Sequence, residues 1–169
     1  MSAQQPTKVI YRTHPLSRKM GEALGILCSR FAMLEWNVDR TIWALMGKDR
    51  KQGRHLTQHL LNDARIRRLR KEANDRFGLL HPSAQYYNHV ADSLKDLCRK
   101  RNLYVHGMWS KGKDAGTRRK QFVLSYFKAP NGYSEEVNLK ELQGFGKLVL
   151  ACKVTLERAS EKYIGCKLP

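Results

Sequence analysis

The segment Arg101–Trp109, RNLYVHGMW, carries the residue types in this chain that are best suited to chemistry. Asn102 and His106 are four positions apart, so a helix would place them on one face within reach of the long side chain of Arg101. Histidine titrates nearest neutral pH and can transfer a proton. The permanently charged, forked guanidinium of arginine suits a phosphate that gains negative charge. These residue types therefore indicate acid–base chemistry at a phosphate group.

The spacing of Arg101 and His106 is weak evidence by itself in so basic a chain. Three other pairs repeat it: Arg50 and His55, Arg54 and His59, and Arg76 and His81. Context distinguishes the segment, because Arg101 interrupts an apolar stripe and Gly107 directly follows the histidine. The structural alternative is that Arg101 extends from the stripe to bind a carboxylate while His106 only caps the helix.

The elements around this segment follow from hydrophobic periodicity. Apolar residues recur at steps of three and four in four stretches, which predicts an amphipathic helix in each. The predicted helices cover residues about 16–47, 54–77, 83–106 and 138–163. A two-residue alternation predicts a β-hairpin at about 108–128, between the last two helices. With short connections, we expect a mainly all-α fold, an antiparallel four-helix bundle, as a single domain over 1–169.

The charge balance indicates the kind of partner. The chain has 32 Lys and Arg against 15 Asp and Glu, a net charge of +17, and most of the excess lies in segments 48–76 and 95–120. Such runs are often solvated faces, but one-signed runs repel themselves and a polyanion such as nucleic acid relieves that repulsion. The residues expected to bind RNA are Arg65, Arg67, Arg68, Arg70, Lys71, Arg99, Lys100, Lys111, Lys113, Arg118 and Arg119.

The run RNLYVHGMW, late in the third helix of a predicted four-helix bundle, resembles the motif of the HEPN superfamily, in which Arg, most often followed by Asn, precedes His by four to six residues. HEPN proteins are typically dimers that bring two motifs to a shared cleft and cleave RNA without a metal. The resemblance implies that Arg101, Asn102 and His106 are the ribonuclease residues. Met108 stands where HEPN toxins paired with a nucleotidyltransferase antitoxin usually carry Tyr.

Other residues are assigned supporting roles or none. Glu35 lies beside the buried stripe of the first helix with Asp39 one turn later, and a carboxylate there needs a cationic partner, for which Arg101 is a candidate. A surface position for Glu35 is the alternative. Tyr104, on the stripe of Arg101, is counted with these supporting residues. His55 and His59 lack the acidic residue between them that a zinc helix carries, so we expect no metal site. Trp36, Trp43 and Trp109 are expected in packing rather than in base stacking.

Together these features predict a metal-independent endoribonuclease without cofactors, cutting single-stranded RNA or tRNA to a 2′,3′-cyclic phosphate and a 5′-hydroxyl. By resemblance it would be a homodimer and a toxin or abortive-infection effector, with an antitoxin protein as a further partner. The alternative is a non-catalytic bundle that binds nucleic acid. The first fifteen residues lack the apolar core of a signal peptide, no apolar run is long enough to span a membrane, and the four cysteines lack metal-binding spacing. We therefore expect a cytoplasmic protein with reduced thiols.

Overall fold

The computed structural model describes residues 16–111, 122–126 and 133–165, and this part of the chain is mostly helical, as predicted. Its elements in chain order are α1 (Arg18–Leu45), α2 (Arg50–Thr57), α3 (Asn62–Phe77), α4 (Pro82–His106), β1 (Met108–Lys111), β2 (Phe122–Tyr126), β3 (Tyr133–Val137) and α5 (Leu139–Ile164). Within the described residues, no helix is both long enough and apolar enough to cross a bilayer.

Polar caps determine where the first and last helices begin. The side chain of Ser17 accepts a hydrogen bond from the backbone N–H of Met20 and caps α1. At the start of α5, Asn138 accepts from the backbone N–H of Glu141, and the Glu141 carboxylate accepts from the backbone N–H of Asn138. These bonds satisfy donors that have no partner inside the helix. Asn138 and Glu141 thus form a capping box at the start of α5.

The single helix predicted over 54–77 is wrong: the chain forms two helices there, α2 and α3. The break is explained by how α2 packs on α1. Gly53 lies so close to Trp43 that a Cβ atom on it would be 2.2 Å from the indole ring, and the indole Nε1 donates a 3.0 Å hydrogen bond to Thr57 Oγ1. Docking the short α2 on this indole requires a turn after Thr57, before α3 starts in a new direction.

The directions of the helices follow from their contacts. Arg30 on α1 lies beside Gly146 on α5, and further along both helices the hydroxyls of Thr41 and Ser160 are 3.1 Å apart, so α1 and α5 run in the same direction. The prediction of an antiparallel bundle is therefore wrong for this pair. Splitting the predicted second helix adds one chain reversal, and an odd number of alternating helices leaves the first and the last parallel.

The helix that carries the motif does run antiparallel to its neighbours. Arg70 on α3 bonds Asp92 on α4, and Asn74 one turn later bonds Asn88 one turn earlier. On its other side α4 meets α5 near its C-terminal end, where the rings of Tyr104 and Phe145 are 5.3 Å apart. Helix α4 is consequently held by α3 along its first half and by α5 near its C-terminal end.

The core lies between these helices and contains the apolar stripes that the periodicity predicted. The largest fully buried side chains are Met20, Leu27, Phe31, Leu34, Ile42, Leu69, Tyr87, Tyr104, Val137, Leu142 and Leu156. Because a fully buried leucine or phenylalanine contributes about 1.5–3 kcal/mol, this cluster supplies much of the driving force that holds α1, α3, α4 and α5 together.

The three strands form one antiparallel sheet in the order β1-β2-β3. Met108 pairs with Ser125 and Lys111 with Phe122 between β1 and β2, while Val137 pairs with Phe122 between β2 and β3. The third strand was not predicted. The segment of the predicted hairpin between β1 and β2, residues 112–121, lies outside the described residues.

Candidate functional site

The Arg-Asn-His segment occupies the last turns of α4, which ends at His106. The N–H of Gly107 donates a 2.9 Å hydrogen bond to the carbonyl of Leu103 and closes the final turn, after which the chain enters β1. Asn102 and His106 are exposed, four residues apart on one face of the helix. Arg101 is half-buried. The structure thus presents the amide and the imidazole to solvent and turns the arginine partly inward.

The Arg101 guanidinium is positioned by two contacts. Its Nη1 atom donates a 3.0 Å hydrogen bond to Oδ1 of Asn102, and its Cζ atom lies 5.6 Å from the ring centroid of Phe31 on α1. The Nε atom is buried and has no hydrogen-bond partner among the described residues. Arginine has five N–H donors in a fixed fork, so one bond to Asn102 leaves donors available for an anion.

The carboxylates predicted to support Arg101 have other surroundings. Asp39 binds Arg65, with 2.9 Å between Arg65 Nε and Asp39 Oδ1, instead of binding Arg101. Burial raises the pKa of Asp39 above its ordinary value, and the neighbouring Arg65 acts against that rise. Glu35 is half-buried and makes no ion pair with any residue that the structure describes, so the expected pair of Glu35 with Arg101 does not form.

Glu35 and Arg101 are nevertheless both near Cys98, one turn before the motif on α4. Burial raises the pKa of the Cys98 thiol to about 11, Glu35 contributes to the rise, and Arg101 opposes it. Positive and negative charge therefore flank this buried thiol from α4 and α1. Glu35 and Arg101 therefore lie near the same buried thiol without forming an ion pair with each other.

Tyr104 packs in the core beneath the motif. It is fully buried, its ring stacks on that of Trp109 with centroids 6.2 Å apart, and its carbonyl accepts a 3.0 Å hydrogen bond from Trp109 Nε1. Lys100 Nζ lies 5.7 Å from the ring centroids of both Tyr104 and Phe145. These contacts hold the end of α4 against α5 and β1. Trp109 is engaged in packing, as expected.

The basic residues of α3 do not form one free surface, since most of them bind carboxylates. Arg65 pairs with Asp39, Arg68 with Glu72, Arg70 with Asp92, and Lys71 with Asp75. Arg67 and Arg99 are exposed and make no ion pair with a residue that the structure describes. Lys111 lies in β1, and Lys113, Arg118 and Arg119 fall outside the described residues.

The two histidines considered as a metal pair do not share a helix. His55 is in α2, whereas His59 follows the end of that helix, and both are exposed. In the described ranges, no three side chains of His, Cys, Asp or Glu are grouped so that they could hold a metal ion.

The sequence did not predict that Arg101 packs on Phe31. Both residues lie on apolar stripes, but the pattern within each helix does not show which residues of two different helices meet.

No protein-family model, curated protein or solved structure matches this chain.

Proposed function

We propose that this protein is a metal-independent endoribonuclease of HEPN type, with Arg101, Asn102 and His106 as its catalytic residues. The observation that carries the proposal is the hydrogen bond from Arg101 Nη1 to Asn102 Oδ1, beside an exposed His106 at the end of α4. This bond joins the Arg101 guanidinium to the amide of Asn102, which lies on the same helix face as the His106 imidazole. The net charge of +17 supports a polyanionic substrate.

The proposed reaction is transesterification of RNA. One imidazole takes the proton of a ribose 2′-OH, the 2′-oxygen attacks the adjacent phosphorus, and the bond to the 5′-oxygen breaks. A second proton donor delivers a proton to the leaving 5′-oxygen, giving a 2′,3′-cyclic phosphate and a 5′-hydroxyl. The Arg101 guanidinium stabilises the charge on the phosphorane, and Asn102 orients that guanidinium.

The requirement for both a base and an acid favours a homodimer. One His106 cannot take and give a proton in the same step, and a two-fold axis beside α4 would supply the second imidazole from the other subunit. We further propose that the bundle is HEPN-like, with the three-stranded sheet of β1, β2 and β3 inserted between α4 and α5. We also propose that the protein is a cytoplasmic toxin or antiviral effector restrained by an antitoxin protein. RNA would be the substrate whether the protein acts as a toxin or as an antiviral effector.

The decisive experiment is incubation of the purified protein with total RNA in EDTA, followed by mapping of the product ends. We expect cyclic phosphate and 5′-hydroxyl ends, and loss of cleavage in His106→Ala by about 10²- to 10⁴-fold with RNA affinity retained. His89→Ala is the matched control, because His89 is also exposed on α4 but outside the motif.

The outcomes separate the proposal from its main alternative. RNA binding without cleavage by the wild-type protein would favour a non-catalytic nucleic-acid-binding bundle. Cleavage that survives His106→Ala would assign the chemistry to other residues. If the protein has the mass of a monomer in solution and this monomer cleaves RNA at the full rate, the two-subunit site is wrong.

A further inference from the structure

A small cleft outside the motif combines tryptophan with positively charged side chains. It lies where the C-terminal half of α1 meets the start of α2 and has a volume of about 240 Å³. Its walls include Trp36, Arg40, Trp43, Lys48 and Arg50. We call it the Trp36 cleft. Pockets for drug-sized ligands measure about 300–1,000 Å³, so this cleft suits a single planar ring rather than a large molecule.

The charge of the Trp36 cleft is of one sign. Lys48 and Arg50 are exposed and form no ion pair within the part of the chain that the structure describes, and none of the described residues lining the cleft carries a carboxylate. Asp49 stands between them in sequence, but its side chain accepts a 2.8 Å hydrogen bond from the backbone N–H of Gln52 and caps α2. Cations grouped in this way repel each other, and an anion such as phosphate would relieve the repulsion.

The aromatic wall of the cleft is held by packing contacts and a hydrogen bond. Trp36 is half-buried, and the ring of Trp43 meets it at 90° with centroids 5.4 Å apart. Trp43 is itself fixed by its hydrogen bond to Thr57 and by the close approach of Gly53. The guanidinium of Arg50 lies 5.2 Å from the Trp36 ring centroid. Binding of a planar base against Trp36 and Arg50 would therefore require little reordering of the protein, and its entropic cost would be small.

We propose that the Trp36 cleft binds one nucleotide of single-stranded RNA, with the base against Trp36 and Arg50 and the phosphate on Lys48 and Arg50. Aromatic and arginine planes that stack bases, beside cations that follow the backbone, are the chemistry of single-strand recognition. The inference rests on the proposed function, which makes RNA the substrate. It adds a site that holds the strand away from the cleavage residues.

The cleft and the motif lie on different sides of α1. Arg101 lies over Phe31, and Trp36 is five residues further along α1, which is about 8 Å along the helix axis and about 140° around it at 3.6 residues per turn. The Trp36 cleft would therefore hold a part of the strand that is separate from the nucleotides at the cleavage residues.

The test measures binding of a fluorescein-labelled oligoadenylate by anisotropy, in a His106→Ala background so that the RNA stays intact. Lys48→Ala/Arg50→Ala is compared with Lys19→Ala/Lys147→Ala, which removes the same charge from exposed positions on α1 and α5. We expect the first pair to weaken binding at least about tenfold more than the second, because it also loses the contact with the base. Equal weakening by the two pairs would overturn the proposed cleft site.

A second arm isolates the base. Trp36→Leu keeps an apolar side chain against Trp43 and leaves the charge unchanged, so it should weaken binding of the oligoadenylate about tenfold and leave binding of an abasic oligomer of equal length unchanged. Thermal unfolding of each variant verifies that it is folded. If Trp36→Leu weakens both oligomers equally, or neither, the base does not occupy the cleft, whatever Lys48 and Arg50 do.

Failure of the site and failure of the proposed function give different results. If the wild-type protein cleaves RNA and the two charge-matched pairs bind it equally, the Trp36 cleft is wrong and the ribonuclease proposal stands. If the two arms give the expected differences and the wild-type protein never cleaves, the cleft is supported and the catalytic proposal is wrong. Absence of any RNA binding by the parent protein would overturn both.

Discussion

Arg65 Nε lies 2.9 Å from Asp39 Oδ1, and this ion pair joins α3 to α1 with both side chains mostly buried. Arg67, two residues later, points to solvent. The helical step of about 200° between positions i and i+2 turns one arginine inward and the other outward. Two neighbouring members of the same basic run thus have different roles, one in holding helices together and one at the surface.

Arg65→Ala should lower the free energy of unfolding by about 1–3 kcal/mol, because it leaves the buried Asp39 carboxylate without its partner. Arg67→Ala, on the exposed side of the same helix, should change it by less than about 0.5 kcal/mol. Urea titrations followed by circular dichroism measure both. Equal destabilisation by the two substitutions would mean that the Asp39 pair does not stabilise the fold.

The same arginines should differ in their effect on RNA binding. Each phosphate contact to a single strand contributes about 0.7 to the slope of log affinity against log salt, so the exposed Arg67→Ala and Arg99→Ala together should flatten that slope by about 1.4. Arg65→Ala should leave it unchanged, since its guanidinium is bound to Asp39. A salt titration of the folded variants makes the comparison. A slope that falls with Arg65→Ala and not with the other two would reverse the assignment.

Arg101→Lys should not restore the cleavage that Arg101→Ala loses. The ammonium of lysine is a single point of charge and cannot keep the bond to Asn102 while it presents a planar pair of donors to phosphate. We expect both variants to be at least about 10²-fold slower than wild type in single-turnover assays in EDTA. Arg99→Lys is the control: Arg99 is exposed and lies two residues earlier, about 200° around the same helix, so this variant should retain activity. Wild-type rates in Arg101→Lys would show that charge alone is sufficient.

Two glycine substitutions should change stability in opposite directions. Gly53→Ala would place a Cβ atom 2.2 Å from the Trp43 ring, which should cost about 1–3 kcal/mol and disturb the docking of α2. Gly25 in α1 is exposed with open space at its Cβ position, so Gly25→Ala should stabilise the protein by about 0.5–1 kcal/mol through helix propensity. Thermal melts report both. A melting temperature that rises with Gly53→Ala would contradict the close packing of α2 on Trp43.

Stability should fall as the pH rises from about 9 to 11. Burial raises the pKa of Cys98 and of Cys152 from 9.0 to about 11, so these thiols ionise in the unfolded chain at lower pH than in the folded protein. The unfolded state then binds fewer protons over that interval, and the free energy of unfolding decreases with pH. Cys98→Ala/Cys152→Ala should show a shallower decrease in urea titrations across this range. An unchanged slope would mean that these thiols ionise alike in both states.

The sequence by itself determined the features that depend on neighbours within one or two turns. The alternating apolar spacing located α1, α4 and α5, although it merged α2 and α3 into one helix. Ser17, Asn138 and Glu141 mark helix starts because a capping side chain bonds to backbone groups three residues away. The end of α4 just after His106 follows from Gly107 in the same local way. The placement of Asn102 and His106 on one face of α4 needs only the helical repeat.

Only the tertiary structure decided which distant residues meet. The turn between α2 and α3 depends on Gly53 and Thr57 reaching Trp43, and the site geometry depends on Arg101 lying over Phe31. The chain has 32 basic and 15 acidic residues, so many basic residues could in principle pair with a carboxylate such as Asp39. Its partner is set by which helices pack together, and that packing depends on the fit of side chains far apart in sequence, which no local pattern encodes.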